Sequence, residues 1–462
     1  MATRRLYSAI VRLLRLTTRV FFRTVEVVGA ENIPADGPVV FVGNHPNSLM
    51  DPALIITSCE RQVSFAAKDV LFRSRFLRPI LQGLGAVPIR RRMDHGGGAL
   101  DNSAAFEALF EVLREGGAFG IFPEGISHTR SELAPLKTGA ARIALGAARE
   151  GIPVKIVPCG LTYVHRTRAR SRVLVQFGPA IDLAQETFQG DADESFRDGA
   201  RALTDAIDTA LRGLTINASD FATLRVLDEV RRLYRPPGLR VTLAERAELS
   251  RRFIEYFERL QGRPDVKALF HDVARFISEQ RALGLRDRDL RRRTTAGARL
   301  LRVLQHVALL VVLVPLAIPG VIIHAPVLLV AAVAGNNFTR RKDVRATTKM
   351  TTALLMVLLG YALVAAAVAW YVAYPASLWA VPLSLVTLLL SGWATIRVLE
   401  RELAVRRSLW VLLALLRFTD QLERLRVQRE ALRARLLELA DRYIDPDLVR
   451  VIPREAQGAE DS

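Results

Sequence analysis

The sequence predicts an α/β fold: a mostly parallel sheet flanked by helices, then a helical connector, transmembrane helices and an amphipathic C-terminal helix. Short apolar segments rich in β-branched residues alternate with helical patterns from residue 25 to about residue 177. This alternation is typical of a parallel sheet with crossover helices. The long apolar runs are concentrated between residues 303 and 396, and runs of about 20 apolar residues are long enough to cross a bilayer.

Seven strands and three helices are predicted in the first part of the chain. The strands cover residues 25–28, 39–42, 63–67, 86–89, 118–122, 155–162 and 173–177. The helices cover roughly residues 52–60, 102–115 and 138–150. In parallel sheets the chemistry lies on loops at the strand ends. Polar residues that follow these strands are therefore the candidate functional residues.

The charge of the chain predicts a membrane partner rather than nucleic acid. The 462 residues carry a net charge of +18, and arginine supplies almost all of the positive charge. The arginine clusters flank the apolar runs, which favours an anionic membrane surface. The two cysteines, Cys59 and Cys159, do not suggest a structural disulfide, so the chain fits a reduced cytosolic compartment.

Residues 1–24 are predicted to form a basic amphipathic helix that lies in the membrane interface. Arginines recur every three or four residues between Arg4 and Arg23, interleaved with apolar positions, as in interfacial helices. A signal peptide would need an unbroken apolar core and a small-residue cleavage site, and this stretch contains neither. The helix can at the same time pack on the domain that follows it.

The first polar loop after a predicted strand contains His45, and Asp51 follows six residues later. Asp51-Pro52 is typical of a helix start, with Asp51 at the N-cap and Pro52 at the first helical position. The pair therefore brings a candidate base beside a candidate orienting carboxylate, which is what deprotonating a hydroxyl requires. Alternatively, Asp51 is only a helix cap and His45 only a surface residue.

A second loop brings three guanidinium groups to the end of a strand. Arg90, Arg91 and Arg92 follow the apolar run that ends at Ile89. Guanidinium groups bind phosphate bidentately, so this run is a candidate phosphate site. An isolated arginine run is otherwise more often a solvated patch.

Three further blocks follow. Glu124 and Gly125 come after a strand; the glycine permits close backbone approach, and the carboxylate can accept hydrogen bonds from substrate hydroxyls. Lys137 precedes a predicted helix and is a candidate cation near an anionic substrate. Val157 and Pro158 lie in an apolar strand that either lines an acyl-chain groove or belongs to the sheet core.

These blocks in their order resemble the four blocks of the glycerolipid acyltransferases, a superfamily that includes glycerol-3-phosphate and lysophosphatidate acyltransferases. The resemblance covers about residues 20–215. The chain differs in one respect: five residues separate His45 from Asp51, whereas the commonest first block has four. The wording of residues 44–52 is itself similar to a subgroup related to fungal acyltransferases of glycerol 3-phosphate and dihydroxyacetone phosphate. That subgroup also has a C-terminal membrane region.

The resemblance implies a role for each block. His45 would be the general base that takes the proton from a glycerol hydroxyl, and Asp51 would orient its imidazole. The alkoxide would attack an acyl thioester directly, without an acyl-enzyme. Arg91, supported by Arg90 or Arg92, would hold the substrate phosphate.

By the same resemblance Glu124 and Gly125 would position the glycerol moiety, and Val157 and Pro158 would border the acyl chain. Acyl-CoA or acyl-carrier protein would be the co-substrate, without a cofactor, and no metal-ligand spacing is present. Two alternatives remain. One is acylation of lysophosphatidate; the other is a non-catalytic lipid-binding membrane protein, supported only by the extra residue after His45.

The predicted catalytic domain covers residues 25–215, and residues 216–300 are a helical connector of unknown role. Residues 301–397 are the predicted membrane region. Within it, residues 303–335 are interrupted by three prolines and are too long for one crossing and too short for two, so we predict a re-entrant hairpin.

Two later segments, 353–373 and 376–396, predict a transmembrane hairpin. Its arginine flanks and those of the re-entrant hairpin fall on one side, which predicts a multi-pass protein with the catalytic domain on the cytoplasmic face. His324 lies in the apolar region. It is either a functional residue or a structural hydrogen-bonding group at the tip of the re-entrant hairpin.

Residues 398–445 are predicted to contain an amphipathic helix of coiled-coil type. From Phe418 to Tyr443 a 4-3 spacing holds apolar residues at every position except Arg429. Such a helix either forms a homodimer or folds back on the catalytic domain. Residues 446–462 are polar and are predicted to be a disordered tail.

Overall fold

The computed structural model describes residues 4–90, 102–183, 193–235, 241–291, 296–339, 341–372 and 374–444. They fall into two compact units. The first, called the sheet unit below, comprises Met1–Asp220, Thr242–Arg251 and Thr339–Thr347. The second, the helical unit, comprises Phe221–Val241, Arg252–Phe338 and Thr348–Ser462. The sheet unit is therefore built from three separate stretches of the chain.

The strands of the sheet unit form one mostly parallel sheet, as predicted. They are β1 (Phe22–Val28), β2 (Val39–Gly43), β3 (Val63–Lys68), β4 (Val87–Ile89), β5 (Ala118–Ile121), β6 (Lys155–Tyr163), β7 (Ser171–Phe177) and β8 (Ile181–Asp182). Their order is β1-β7-β6-β2-β5-β3-β4, and β8 pairs with β6. Among these pairs only β6–β7 and β6–β8 are antiparallel.

The helices of this unit flank the sheet. They are α1 (Arg4–Phe21), α2 (Met50–Ser58), α3 (Leu77–Gly83), α4 (Ser103–Arg114), α5 (Gly139–Arg149) and α6 (Asp193–Leu214). All five residues of β2 are buried, so β2 lies in the middle of the core. Apolar side chains of α4, α5 and α6 form one buried cluster with those of the sheet. The predicted α/β architecture is therefore confirmed.

Helix α1 packs on the sheet unit through a narrow face. The Tyr7 hydroxyl accepts a hydrogen bond from the Val63 N–H at 2.8 Å, and Phe21 is buried. Leu16 remains 60% exposed and Val20 48% exposed. An apolar stripe with arginines beside it is thus left for another surface, so the two predicted arrangements of this helix are compatible.

The helical unit contains the rest of the chain. Its helices are α7 (Phe221–Tyr234), α8 (Leu243–Leu260), α9 (Pro264–Ala282), α10 (Asp287–Arg291), α11 (Ala296–Asn337), α12 (Arg345–Tyr371), α13 (Ser377–Arg417) and α14 (Thr419–Tyr443). The first turns of α8 and α12 still belong to the sheet unit. The connector expected over residues 216–300 contains α7 to α10, which share an apolar core with α13 and α14.

Helix α14 corrects the expectation for the C-terminal helix. Its leucines at the predicted 4-3 positions are buried in one cluster with side chains of α7 and α9. The connector helices of the same chain therefore supply the apolar partner in place of the predicted catalytic domain, and a homodimer stays a prediction. Arg429, the exception in the pattern, is 1% exposed, and its Nε donates to Asp287 at 2.7 Å.

Helix α11 corrects the predicted re-entrant hairpin. The segment is one unbroken helix of 42 residues that contains Pro315, Pro319 and Pro326. A proline removes one backbone donor and can bend a helix without ending it, and apolar helices tolerate this. By length and composition, three helices in the part of the chain that the structure describes could cross a membrane: Leu300–Asn337, Lys342–Tyr371 and Ser377–Ala414. Most of the predicted hairpin over 353–373 and 376–396 lies in the last two.

His324 lies within α11 and not at a hairpin tip. Its Nδ1 lies 2.8 Å from the Gly320 carbonyl and its Nε2 lies 3.1 Å from the Tyr361 hydroxyl of α12. A Cβ on Gly392 of α13 would come within 2.8 Å of Nε2. The imidazole thus contacts all three apolar helices, which supports the structural alternative for this residue.

Candidate active site

Three neighbouring parallel strands bring polar residues to one edge of the sheet. β2 lies between β5 and β6 and runs parallel to both, so the carboxyl ends of the three strands meet. His45 follows β2, Glu124 follows β5, and Tyr163 is the last residue of β6. Residues far apart in sequence thus converge beside His45.

His45 and Asp51 form a buried pair. The Nδ1 of His45 lies 2.8 Å from Oδ2 of Asp51, and the two residues are 8% and 0% exposed. Because a carboxylate accepts hydrogen bonds, Nδ1 carries the proton and Nε2 keeps its lone pair. The ring stacks on Phe122, with centroids 4.1 Å apart and an interplanar angle of 6°. The imidazole is therefore fixed in both orientation and tautomer.

The extra residue after His45 is accommodated by the loop. Ser48 adopts a left-handed conformation with φ of 50°, and the Met50 and Asp51 N–H groups donate to the Asn47 and Ser48 carbonyls at 3.1 and 3.2 Å. This tight turn shortens the path to Asp51. The only sequence feature that favoured a non-catalytic protein therefore leaves the His45–Asp51 hydrogen bond intact.

Asp51 has a different place from the one predicted. The N-cap of α2 is Leu49, so Asp51 does not cap the helix. Its Oδ2 also accepts the Asn47 N–H at 2.7 Å, and its Oδ1 accepts the Tyr163 hydroxyl at 2.5 Å. The carboxylate is held by three donors because its loop folds back over the end of β6.

The electrostatics of this cluster follow from its burial. Burial raises the pKa of Asp51, while the hydrogen bonds from His45, Tyr163 and Asn47 act in the opposite direction. Burial, together with the nearby Asp51 charge, raises the pKa of Tyr163 well above its usual value. Tyr163 therefore stays protonated and remains a hydrogen-bond donor to Asp51.

Glu124 is placed beneath the His45 loop. It is 3% exposed; its Oε1 accepts the His45 N–H at 2.7 Å, and its Oε2 accepts the Ala134 N–H at 2.8 Å. The His128 ring also bonds Oε2, and the Arg130 N–H donates to Nδ1 of His128 at 3.1 Å, so His128 donates through Nε2. Glu124 thus fixes the backbone of His45, and its predicted contact with substrate hydroxyls stays a prediction.

Gly125 and Lys137 lie against each other. Gly125 has φ of 69°, and a Cβ there would lie 2.7 Å from the Lys137 Nζ. The Lys137 N–H donates to the Pro123 carbonyl at 2.8 Å. The glycine thus allows an exposed ammonium group to lie over the turn that contains Glu124.

Arg90 is exposed and lies at the far edge of the sheet. It follows β4, and β5 and β3 separate that strand from β2. Its backbone is paired with the Asn102 side chain at 3.0 and 3.1 Å. Arg91 and Arg92 lie outside the described residues, so the predicted phosphate-binding role of this run stays a prediction.

Val157 and Pro158 lie in the sheet core, the alternative explanation of their strand. Both are buried, and they pair with Phe41 and Val42 of β2. Pro158 lies where β6 changes partner from β8 to β7, a position that tolerates a missing N–H. The structure does not bring these two residues to the edge where His45 lies.

Tyr163 and Arg166 belong to the site, but neither was assigned a role from the sequence. Tyr163 directly follows the predicted strand 155–162. The reasoning that made His45 a candidate, a polar residue after a strand of a parallel sheet, therefore also applies to Tyr163. Arg166 is half-buried, and burial lowers its pKa despite the nearby carboxylates of Asp51 and Glu124. Its carbonyl accepts Nδ2–H of Asn47 at 3.0 Å, a contact that sequence spacing does not indicate.

Two family models match the chain in succession. The model described as Acyltransferase matches residues 24–162. The model described as Glycerol-3-phosphate acyltransferase 2 C-terminal domain matches residues 226–449. The first match contains His45, Asp51 and Glu124 and ends one residue before Tyr163. The second contains most of the helical unit and the segment between α11 and α12.

Curated proteins show the same similarity. Glycerol-3-phosphate O-acyltransferase 1 of Saccharomyces cerevisiae is 34% identical over 237 residues, which are 50% of this chain and 31% of that protein. Glycerol-3-phosphate O-acyltransferase 2 of the same yeast is 26% identical over 446 residues, covering 71% of this chain and 59% of that protein. The chain thus spans about a third and three fifths of their lengths.

A bacterial relative matches a shorter part of the chain. The 1-acyl-sn-glycerol-3-phosphate acyltransferase of Borreliella burgdorferi is 32% identical over 160 residues, 34% of this chain and 61% of that protein. This match covers a smaller share of the chain than that of the second yeast protein, which covers 71%.

Proposed function

We propose that the chain is a membrane-bound O-acyltransferase of the glycerolipid acyltransferases, in the subgroup of the fungal glycerol-3-phosphate acyltransferases whose models and sequences it matches. It transfers a fatty acyl group from an acyl thioester to a hydroxyl of glycerol 3-phosphate or dihydroxyacetone phosphate. The observation that carries the proposal is the buried His45–Asp51 pair at the carboxyl edge of the sheet.

The geometry supports general-base catalysis by His45. With Nδ1–H donated to Asp51, Nε2 takes the proton of the acceptor hydroxyl as the oxygen attacks the thioester carbonyl carbon. A carbon–oxygen bond forms, the carbon–sulfur bond breaks, and the proton passes from His45 to the leaving thiolate. Asp51 stabilises the imidazolium that forms, and Tyr163 and Asn47 keep Asp51 in place.

Two features favour a phosphorylated acceptor. The Lys137 ammonium lies over the Gly125 turn, and Arg166 places a further positive charge near the cluster. The run Arg90–Arg92 remains the predicted phosphate site. The donor is acyl-CoA or acyl-carrier protein, because a thiolate is a better leaving group than the alkoxide of an oxygen ester.

Acylation of lysophosphatidate is the second candidate. The similarity to the bacterial 1-acyl-sn-glycerol-3-phosphate acyltransferase favours it, but that similarity covers only 34% of the chain. The match of residues 226–449 to the glycerol-3-phosphate acyltransferase 2 domain makes glycerol 3-phosphate the first choice.

For the membrane arrangement we assign the sheet unit to the cytoplasmic side. Thr339–Thr347, directly after α11, belongs to the sheet unit. The connection 372–376 carries no Lys or Arg, whereas Arg397 and Arg401 follow the last apolar stretch, in line with the positive-inside rule. A homodimer through α14 has no place in this proposal, because its leucines are already buried.

The test is acyl transfer by the full-length protein in detergent with radiolabelled acyl-CoA. Glycerol 3-phosphate, dihydroxyacetone phosphate and lysophosphatidate are offered in parallel. We expect product from one of the first two acceptors and a loss of at least about 100-fold in His45→Ala. Lys155→Ala, an exposed substitution on β6, is the matched control and should retain activity.

Each other outcome has a defined meaning. Product from lysophosphatidate alone would establish the second candidate. Full activity of His45→Ala would contradict the general-base role. If no acceptor is used with acyl-CoA or acyl-carrier protein, the proposal of acyl transfer is wrong.

A further inference from the structure

We propose that Arg341, on the segment between α11 and α12, is a positioning residue of the active site. The inference rests on the proposed acyl transfer and extends it: a residue next to the apolar helices holds the loop that presents the catalytic histidine. Arg341 belongs to Thr339–Thr347, the short stretch that forms part of the sheet unit.

The guanidinium of Arg341 is itself fixed by an acid. Its Nη2 donates to Oδ2 of Asp343 at 2.7 Å, and its Nε donates to Oδ1 at 3.2 Å. Asp343 is 5% exposed. A two-point contact between a planar guanidinium and a carboxylate fixes the orientation of the guanidinium as well as its distance. The N–H groups of Arg341 that do not contact Asp343 therefore also have a fixed direction.

One of these N–H groups contacts the turn beside the catalytic pair. Nη2 of Arg341 donates to the Ser127 carbonyl at 2.8 Å. The Ser127 hydroxyl accepts the Ser48 N–H at 3.0 Å, and the next residue, His128, donates its N–H to the His45 carbonyl at 3.1 Å. Arg341 thus stabilises a turn whose two successive residues both hold the His45 loop.

The loop needs such support because of its backbone. Ser48 has φ of 50°, and a non-glycine residue in the left-handed region persists only where its surroundings hold it there. Without Arg341, the turn of Ser127 and His128 loses a charge-assisted hydrogen bond. The His45 Nε2 would then sample positions away from the acceptor hydroxyl, and displacements on the order of 1 Å can cost about 100-fold in rate.

The effect should therefore appear in turnover and not in substrate affinity. We expect Arg341→Ala to lower kcat about 10-fold or more, with KM values for acceptor and acyl-CoA within about 2-fold of the wild type. Arg341→Lys keeps the charge but loses the planar contact with Asp343, so it should recover part of kcat. Lys342→Ala, an exposed neighbour on the same segment, should behave as the wild type.

Asp343 supplies a second, independent variant. Asp343→Asn should lower kcat in the same direction, because Arg341 loses its orienting partner. The double variant Arg341→Ala/Asp343→Asn should be no slower than Arg341→Ala, because both changes disrupt the same contact between Arg341 and the Ser127 carbonyl. If Arg341→Ala does not fold, as judged by its melting curve, Arg341→Lys and Asp343→Asn decide the question.

All variants are full-length proteins in detergent, assayed with the acceptor that the wild type uses. An unchanged kcat in Arg341→Ala would overturn the inference. So would a loss confined to KM, which would make Arg341 a substrate-binding group, or an equal loss in Lys342→Ala. A wild-type chain without any acyl transfer would instead refute the proposed function, so the two failures are distinguishable.

Discussion

At the scale of single residues, the candidate site depends on groups that hold His45 and Asp51 in place. Tyr163, Asn47 and His45 all donate to Asp51, and Glu124 accepts from the His45 backbone. The imidazole of His45 is thus fixed through its side chain and through its main chain. Such preorganisation is typical of sites in which geometry limits the rate.

Tyr163→Phe tests this support. The substitution removes one donor to Asp51 and leaves the ring, so we expect kcat to fall about 10-fold, equivalent to about 1.4 kcal/mol, with little change in KM. Steady-state kinetics of the purified protein measure both. Tyr371→Phe, at a residue 84% exposed, is the matched control. A Tyr163→Phe protein with wild-type kcat would show that Asp51 needs no third donor.

The residue scale also shows what sequence reasoning could reach. The convergence of His45, Asp51 and Glu124 followed from strand ends, because parallel neighbours share an edge. The direction of Glu124 did not follow, since its oxygens accept N–H groups from His45 and Ala134. Nor did the burial of Val157 and Pro158, because an apolar strand gives the same pattern in a core and in a groove.

At the scale of elements, α14 illustrates how the pattern alone leaves a partner open. The 4-3 spacing of leucines predicted a buried stripe, and this is confirmed, but the cover comes from α7 and α9 of the same chain. Arg429 in the stripe now has a reason. It pairs with Asp287, which is 5% exposed, so the acid on α10 and the base on α14 fix the register between the two helices.

Arg429→Met would leave the Asp287 carboxylate buried without its cation. We expect a destabilisation of about 3 kcal/mol, seen as a lower melting temperature in detergent. Adding Asp287→Asn should restore much of the loss, because the uncompensated charge is then gone. Arg442→Met, at a side chain 52% exposed, should change stability by less than about 1 kcal/mol. Equal effects of the two arginine variants would contradict a special role for the buried pair.

At the scale of the whole molecule, the chain has a large excess of arginine and also contains buried acidic residues. Glu229 on α7 is 3% exposed, and its Oε1 has no hydrogen-bond partner among the described residues. Burial, with the charges of Asp287 and Asp228, raises the pKa of Glu229 to about 7, although Arg232 opposes the rise. The helical unit therefore carries a group that titrates near neutral pH.

The sign of the effect on stability follows from linkage. The folded pKa of Glu229 of about 7 lies above an unfolded value of about 4.3, so its contribution is full below the unfolded pKa and is lost as pH rises through 7. We expect Glu229→Gln to gain stability over the wild type between pH 5 and pH 8.5, by up to about 3 kcal/mol. Melting curves at a series of pH values measure the difference. A difference that does not vary with pH would contradict the titration.

The sheet unit also shows why domain boundaries could not be predicted from sequence composition alone, because this unit is built from separate stretches of the chain. Residues 242–251 and 339–347 belong to the sheet unit, although sequence composition assigns them to the connector and to the membrane region. Glu26 of β1 accepts the Leu243 and Ala244 N–H groups, each at 2.9 Å. Such pairings join polar groups separated by more than 200 residues, and local pattern carries no trace of them.

The discontinuity of the sheet unit has a consequence for the order of events during synthesis. Domains generally fold in sequence as the chain emerges, at about 5–20 residues per second. Arg341 emerges only after the apolar stretch of α11, so the contact with Ser127 cannot form until that helix has left the ribosome. A nascent chain that has reached only residue 220 contains His45 and Asp51 but not Arg341, which contacts the turn beside their loop. The active site is thus completed after the first apolar helix has become available to the membrane.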